Sequence, residues 1–214
     1  MHCDYRGIIF IPATQMLIVS DLHLEKASFL ARFGVLLPPY DTAATLCTLF
    51  EVVEEYKPKT VICLGDSFHD ADGPHRLAES HLQRLLSMME GREWFWVSGN
   101  HDEAMPSGFP GVSVREIVID GLTFRHFPLI GARHEIAGHL HPGARVVSRG
   151  RSLRRRCFLT DNNRIVMPAF GSLTGMLNVL DDAFQGLFPA NPPLVHVLGR
   201  KSLFRIKAGL LRPE

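Results

Sequence analysis

Four short polar clusters stand directly after apolar runs in this chain: Asp21-Leu22-His23, Gly65-Asp66, Gly99-Asn100-His101-Asp102 and Gly138-His139-Leu140-His141. Aspartate, histidine and asparagine at this density are donors for divalent ions. A pair of ions roughly 3.5 to 4 Å apart needs a bridging carboxylate, neutral nitrogen and oxygen donors, and open positions for water and substrate. Asp66 is the natural bridge. The mixed donor set favours manganese, zinc or iron over calcium, which prefers oxygen alone, and manganese is the ion expected first. A water shared by two such ions loses a proton near neutrality, so hydroxide becomes available as a nucleophile, and the same ions bind phosphate oxygens and stabilise developing charge. The plainer reading, that these are core residues satisfied by hydrogen bonds, is accepted for His2, His75, His81, His134 and His196. It fails for His23, His101, His139 and His141, because burying so many polar groups at strand ends without partners would be costly.

The elements that must position these clusters are legible from their patterning. Met16-Leu17-Ile18-Val19-Ser20, Thr60-Val61-Ile62-Cys63-Leu64, Trp94-Phe95-Trp96-Val97-Ser98 and Glu135-Ile136-Ala137 lack polar alternation, as strands buried on both faces do. Ligands bind beyond the carboxyl ends of such strands, which is where all four clusters fall. Gly65, Gly99 and Gly138 let the chain turn and approach an ion without a side chain in the way. Helices are expected over Lys26 to Phe33, from an Asp41 or Thr42 cap to Tyr56 with Leu46, Leu49, Phe50 and Val53 on one face, and over His75 to Met89. An early strand is expected from Arg6 to Ile11. Beyond Gly111 the pattern turns mainly to strands: Val112 to Asp120, Leu122 to His126, Arg145 to Ser148, Leu153 to Leu159, Arg164 to Met167, Leu194 to Leu198 and Leu203 to Ile206. Asp161-Asn162-Asn163 reads as a turn, and Leu173 to Val179 as a short helix.

At 214 residues and 46% hydrophobic content, the chain is expected to form a single domain over residues 1–214. The first residues lack the basic-then-apolar order of a signal peptide and no run is long enough to span a bilayer, so a cytoplasmic protein with no membrane partner is expected. Cys3, Cys47, Cys63 and Cys157 are scattered, which predicts reduced, packed thiols. The net charge of +1 is uninformative, but Arg145, Arg149, Arg151, Arg154, Arg155 and Arg156 fall within a dozen residues. Such a run is either a solvated hairpin or a contact for a phosphate backbone.

The ordered motifs D-x-H, G-D, G-N-H-D, a lone histidine and G-H-x-H, spanning Asp21 to His141, resemble those of the calcineurin-like metallophosphoesterases. The resemblance implies a four-layer αββα sandwich, an α/β fold of two mixed β-sheets flanked by helices. It implies that Asp21, His23, Asp66 and His141 hold one metal and that Asp66, Asn100, His126 and His139 hold the other. It also implies that His101 contacts the phosphate and can act as general acid, with Asp102 placed to orient its imidazole. Four longer segments, Asp21 to Lys26, Leu37 to Thr42, Leu64 to Asp70 and Pro168 to Gly175, are similar to the bacterial PdeM group. That group is named a ligase-associated DNA damage response endonuclease, which implies association with a DNA ligase, a helicase and an exonuclease. In one departure His69 stands where many superfamily members have aspartate, which leaves open a role in supporting the metals or touching substrate.

The expected function is therefore a binuclear metal-dependent phosphodiesterase, a DNA endonuclease in DNA repair, in which metal-bridged hydroxide attacks phosphorus. A small-molecule phosphoesterase acting on nucleotides, cyclic nucleotides or a pyrophosphate is the main rival. A narrow pocket built by the loop after Pro38 or by residues 184–188 would favour it. A non-catalytic interaction scaffold is the other, disfavoured because every ligand is kept. The H-x-H-x-D-H, H-E-x-x-H and G-x-S-x-G patterns of other hydrolases are absent. An exposed apolar face on the β-rich half would permit a homodimer.

Overall fold

In the computed structural model, which describes residues 1–148, 150–161, 163–189 and 193–214, two β-sheets stack face to face. The first contains β1 (His2–Cys3), β2 (Ile9–Ile11), β3 (Met16–Val19), β4 (Thr60–Leu64), β5 (Glu93–Val97) and β6 (Val112–Val114), in that spatial order. Its β1, β2 and β3 pair antiparallel, while β3 to β6 run parallel. Parallel neighbours need crossovers, which α1 (Lys26–Ala31) and α2 (Asp41–Tyr56) supply between β3 and β4, and α3 (Gly73–Arg76) and α4 (Glu79–Met89) between β4 and β5. The second sheet is built from β7 (Glu116–Ile119), β8 (Leu122–Arg125), β9 (Glu135–Ala137), β10 (Pro142–Ser148), β11 (Arg151–Thr160), β12 (Arg164–Val166), β13 (Leu177–Asn178), β14 (Leu194–Leu198), β15 (Leu203–Ile206) and β16 (Leu211–Arg212). In it β8, β9 and β12 are parallel neighbours.

Three apolar layers hold this arrangement. Leu17, Val19, Val61, Cys63, Trp94 and Trp96 meet Leu46, Leu49, Val53, Leu85 and Met88 of α2 and α4. Between the sheets, Ile18, Ile62, Leu64 and Val97 meet Phe124, Ile136, Phe158 and Met167. Strands buried on both faces are the physical reason for the unalternating apolar runs. The outer face of the second sheet is covered by Val179, Phe184 and Leu187, from a segment with a single 3-10 turn, and not by a long helix.

Several local expectations are corrected. Leu173 to Val179 is not helical: Leu177 N donates to His141 O at 2.9 Å and Val179 N to Gly143 O at 2.9 Å, so the segment pairs with β10 as β13. The His75 to Met89 helix is broken by extended Leu77 and Ala78, because Leu77 turns into the core. Val112 to Asp120 is two strands in different sheets, separated at Arg115. Arg6 to Ile11 begins as a turn in which Gly7 N donates to Asp4 O, and only Ile9–Ile11 is strand. Phe50 is 36% exposed and packs under Arg84, whose Cζ lies 4.9 Å from the ring centre, while Val52 takes the buried place. Cys63 and Cys157 are buried thiols, but Cys47 is exposed. Asp161 Oδ1 accepts from the amides of Asn163 and Arg164, forming the expected turn; Asn162, like Arg149, lies outside the described residues. No helix among the described residues is long and apolar enough to cross a membrane.

Candidate metal centre

Each cluster sits just past the carboxyl end of a parallel strand: Asp21 and His23 after β3, Asp66 after β4, Asn100 and His101 after β5, His126 after β8, His139 and His141 after β9. Neighbouring strands therefore deliver side chains from separate parts of the chain to one place. The backbone that carries them is tightly tied, with Asp21 N donating to Gly65 O, His23 N to Asp66 O at 2.8 Å, and Gly138 N to His126 O at 3.0 Å. Asp21, His23, Asp66, His139 and His141 all have φ between 43 and 67°. Left-handed backbone at five non-glycine positions costs energy at each, and such strain persists where the surroundings over-determine it. At Gly99 and Gly138 a Cβ would collide with Asp66 and with Ser20 and Asp21 respectively, so only glycine lets these turns close on the carboxylates.

Among the described residues donor atoms converge in three groups, Asp21 with His23 and His141, Asp66 with His126 and His139, and His23 with His69 and His101, each within 4.8 Å; the first two contain carboxylates. Asp66 Oδ2 stands between those two, 3.7 Å from His23 Nε2 and 3.4 Å from His126 Nε2, which is the place of a bridge. Asn100 Oδ1 lies 3.1 Å from His126 Nε2 in the second group. His126 Nδ1 donates to Leu64 O at 2.9 Å, which turns Nε2 toward Asp66 and Asn100. Burial drives His23 down to about 3 and also lowers His139, so both rings are neutral nitrogen donors at pH 7. Burial works to raise Asp21 and Asp66, but the facing histidines outweigh it and hold both carboxylates below their ordinary range. Ring nitrogens meet head-on, His23 Nε2 and His141 Nε2 at 3.4 Å and His139 Nδ1 and His126 Nε2 at 3.2 Å. Buried anionic oxygens and neutral nitrogens aimed at shared points fit a pair of divalent ions.

The remaining site residues are placed differently from one another. His101 N donates to Asp66 Oδ1 at 3.0 Å, and its ring stacks on His69 at 4.6 Å. His69, left open from sequence, also places Nδ1 3.1 Å from His23 Nδ1, so it belongs to the site. Only its unusual place in the motif could have signalled this. Asp102 makes no hydrogen bond to the His101 imidazole: Oδ2 accepts from Phe68 N at 2.9 Å and Oδ1 has no hydrogen-bond partner among the described residues. The turn from Gly99 carries this carboxylate inward, and burial raises its pKa to about 7. Asp102 thus secures the loop that carries Asp66. Asp41 and Thr42 do not cap α2, which starts at Tyr40 without a side-chain cap. Asp41 Oδ2 accepts from Ala27 N and Thr42 Oγ1 from Glu25 N, tying α2 to the start of α1. From the arginine run, Arg156 turns inward and donates to Phe170 O, Gly171 O and the Thr174 carbonyl and hydroxyl. Gly171 N donates to Asp21 O, so the Pro168 to Gly175 segment buttresses Asp21 from behind.

A sandwich with strand-end carboxylates and imidazoles in two touching groups defines a metal-dependent hydrolase centre. The profile of the calcineurin-like phosphoesterases matches residues 14–199, and the chain belongs to that family. It is a metal-dependent phosphoesterase. Among solved structures, the chain is similar to the Pseudomonas putida nuclease MPE, at 27% identity and a TM-score of 0.73 over 94% of this chain and 92% of that one. It is also similar to Yfce, a phosphoesterase from E. coli, at 15% identity and a TM-score of 0.42 over 89% of this chain and 97% of that one. No curated protein sequence matches the chain.

Proposed function

We propose that the protein is an endonuclease that hydrolyses phosphodiester bonds in DNA during repair, with two manganese ions as its cofactor. The observation that carries this reading is the likeness to a nuclease over nearly the whole of both chains. Neither the loop after Pro38 nor residues 184–188 line the cavity beside the metal centre, and Phe184 and Leu187 are buried in the outer core. The narrow pocket that would favour a small-molecule substrate is therefore not built by those segments, which supports a polymer.

Asp21, His23, Asp66 and His141 would hold one ion and Asp66, Asn100, His126 and His139 the other. Bound divalent ions would supply an activated water and neutralise charge on the phosphate. The chain's own residues do the rest. His101, fixed by the hydrogen bond its backbone N–H donates to Asp66 and by stacking on His69, gives a proton to the leaving oxygen. Asp102 acts as a positioning residue through the Phe68 amide. Association with a DNA ligase, a helicase and an exonuclease, and a cytoplasmic setting in which the cysteines stay reduced, belong to the same reading. Exposed Val118, Leu153 and Phe204 support a homodimer through the second sheet, which sedimentation at micromolar concentration would reveal.

Nicking of circular single- and double-stranded DNA, with manganese and with other divalent ions in turn, tests the proposal. Wild type should cut, and Asp66→Asn and His101→Ala proteins purified in parallel should not. Intact DNA with a generic phosphodiester still hydrolysed would move the assignment to a small-molecule substrate.

A further inference from the structure

A cavity of about 470 Å³ opens directly beside the metal centre, lined among others by Gly99, Glu103, Arg115, Arg125, His126 and Phe127. That volume lies within the range of small-ligand pockets. His126 both lines the cavity and belongs to a donor group, so an occupant of the cavity would lie next to the group being hydrolysed. The charged residues that line it balance in number, Arg115 and Arg125 against Glu103 and Glu116, and Arg125 is paired with Glu116 at 2.9 Å and with Glu135 at 3.6 Å. A subsite built for a second phosphate would carry surplus positive charge. This one is neutral, so it suits an uncharged group with polar edges.

Phe127 supplies the matching face. Its ring is 44% exposed, yet it leans on His139 at 4.4 Å and on His126 at 4.7 Å between ring centres. An aromatic left this exposed beside the buried His126 and the half-buried His139 is not explained by packing alone. Pro128 restricts Phe127 to extended backbone, and the following loop is pinned from below. Leu129 N donates to Glu135 Oε1 at 3.2 Å, and the buried Arg164 donates to Leu129 O at 2.7 Å and Ala132 O at 2.6 Å. The platform is therefore held in place before any ligand arrives, which reduces the ordering cost of binding.

We infer that this cavity is a nucleobase subsite, in which the base of a nucleotide flanking the scissile phosphate stacks on Phe127. The inference rests on the nuclease reading for the identity of its occupant. Chromogenic diesters with one scissile bond test it: the thymidine 5′- and 3′-(p-nitrophenyl phosphates) against methyl p-nitrophenyl phosphate, all with manganese. Base-aromatic stacking is worth on the order of tenfold or more. Wild type should prefer at least one thymidine ester by about that factor in kcat/KM. Phe127→Leu, which keeps bulk against His126 and His139, should erase the preference, and Phe127→Trp should keep it. Equal losses on thymidine and methyl esters in Phe127→Leu, or an unchanged ratio, would overturn the subsite. No thymidine preference in wild type that still nicks DNA would sink the subsite and spare the nuclease. A Phe127-dependent preference in a protein that leaves DNA intact would do the reverse.

Discussion

Asp66 answers to both halves of the metal centre, through Oδ2 near His23 and His126 and through Oδ1 on the His101 amide. Asp66→Asn should lower phosphodiester hydrolysis by more than the roughly 10- to 100-fold that outer-shell partners are worth. Elemental analysis should show fewer than two metals per chain, with folding intact by circular dichroism. Asp4, far from the centre, carries a different prediction. Burial works to raise its pKa, but hydrogen bonds from the Arg6 side chain and backbone and from Tyr56 outweigh it and hold it below the ordinary value of 3.8. A depressed folded pKa means stability present above the unfolded pKa and lost as pH falls through the folded one. Asp4→Asn should therefore cost about 2 kcal/mol in urea denaturation at pH 7, and the gap between wild type and variant should narrow as pH falls below the ordinary carboxylate range through the depressed folded pKa. At this scale the sequence singled out the aspartates and histidines that meet at the strand ends but not what their neighbours do. His69 and Asp102 have similar standing in the chain, yet one reaches His23 and His101 and the other a backbone amide, because loop geometry aims them differently.

Loops at strand ends are held by a few buried ions, and their loss should be felt along whole elements. Arg164 and Glu135 are 3% and 1% exposed, 3.4 Å apart, and the arginine ties down the loop after β8. Arg164→Met leaves Glu135 without its main partner and should cost about 3 to 5 kcal/mol. Hydrogen exchange of amides 129–132 should rise with it, while β3 and β4 stay protected; uniform change across the chain would contradict this local role. Arg156→Ala should act likewise on residues 170–174, and through Gly171 on Asp21, with weaker metal binding by calorimetry as the readout. The strands and α2 were legible because their apolar pattern is local. The Leu173 to Val179 segment was not, since its backbone is claimed by β10, a partner distant in sequence.

For the whole molecule, the centre joins elements from residue 21 to residue 141 and faces like charges and facing imidazoles toward one another. Ions bound there stabilise the native state by mass action, by about 2.7 kcal/mol at a hundredfold excess over Kd. Chelation should therefore lower Tm by roughly 5 to 10 °C for a chain of this size, and manganese should restore it. An unchanged Tm would mean the ligands are satisfied without metal. The sequence by itself determined the reaction class, because ligand identity and position after apolar runs are local features that one strand end encodes. The two-sheet sandwich was implied by the resemblance of the ordered motifs to a family, while the local apolar pattern by itself marked only the separate strands. Only the tertiary structure decided that Asp66 stands between two donor groups, that His69 joins them, that Arg156 buttresses the ligand loops, and that Phe127 faces a neutral cavity. These are contacts between segments far apart in the chain, and they exist only once sheet register and packing have fixed which strand ends meet.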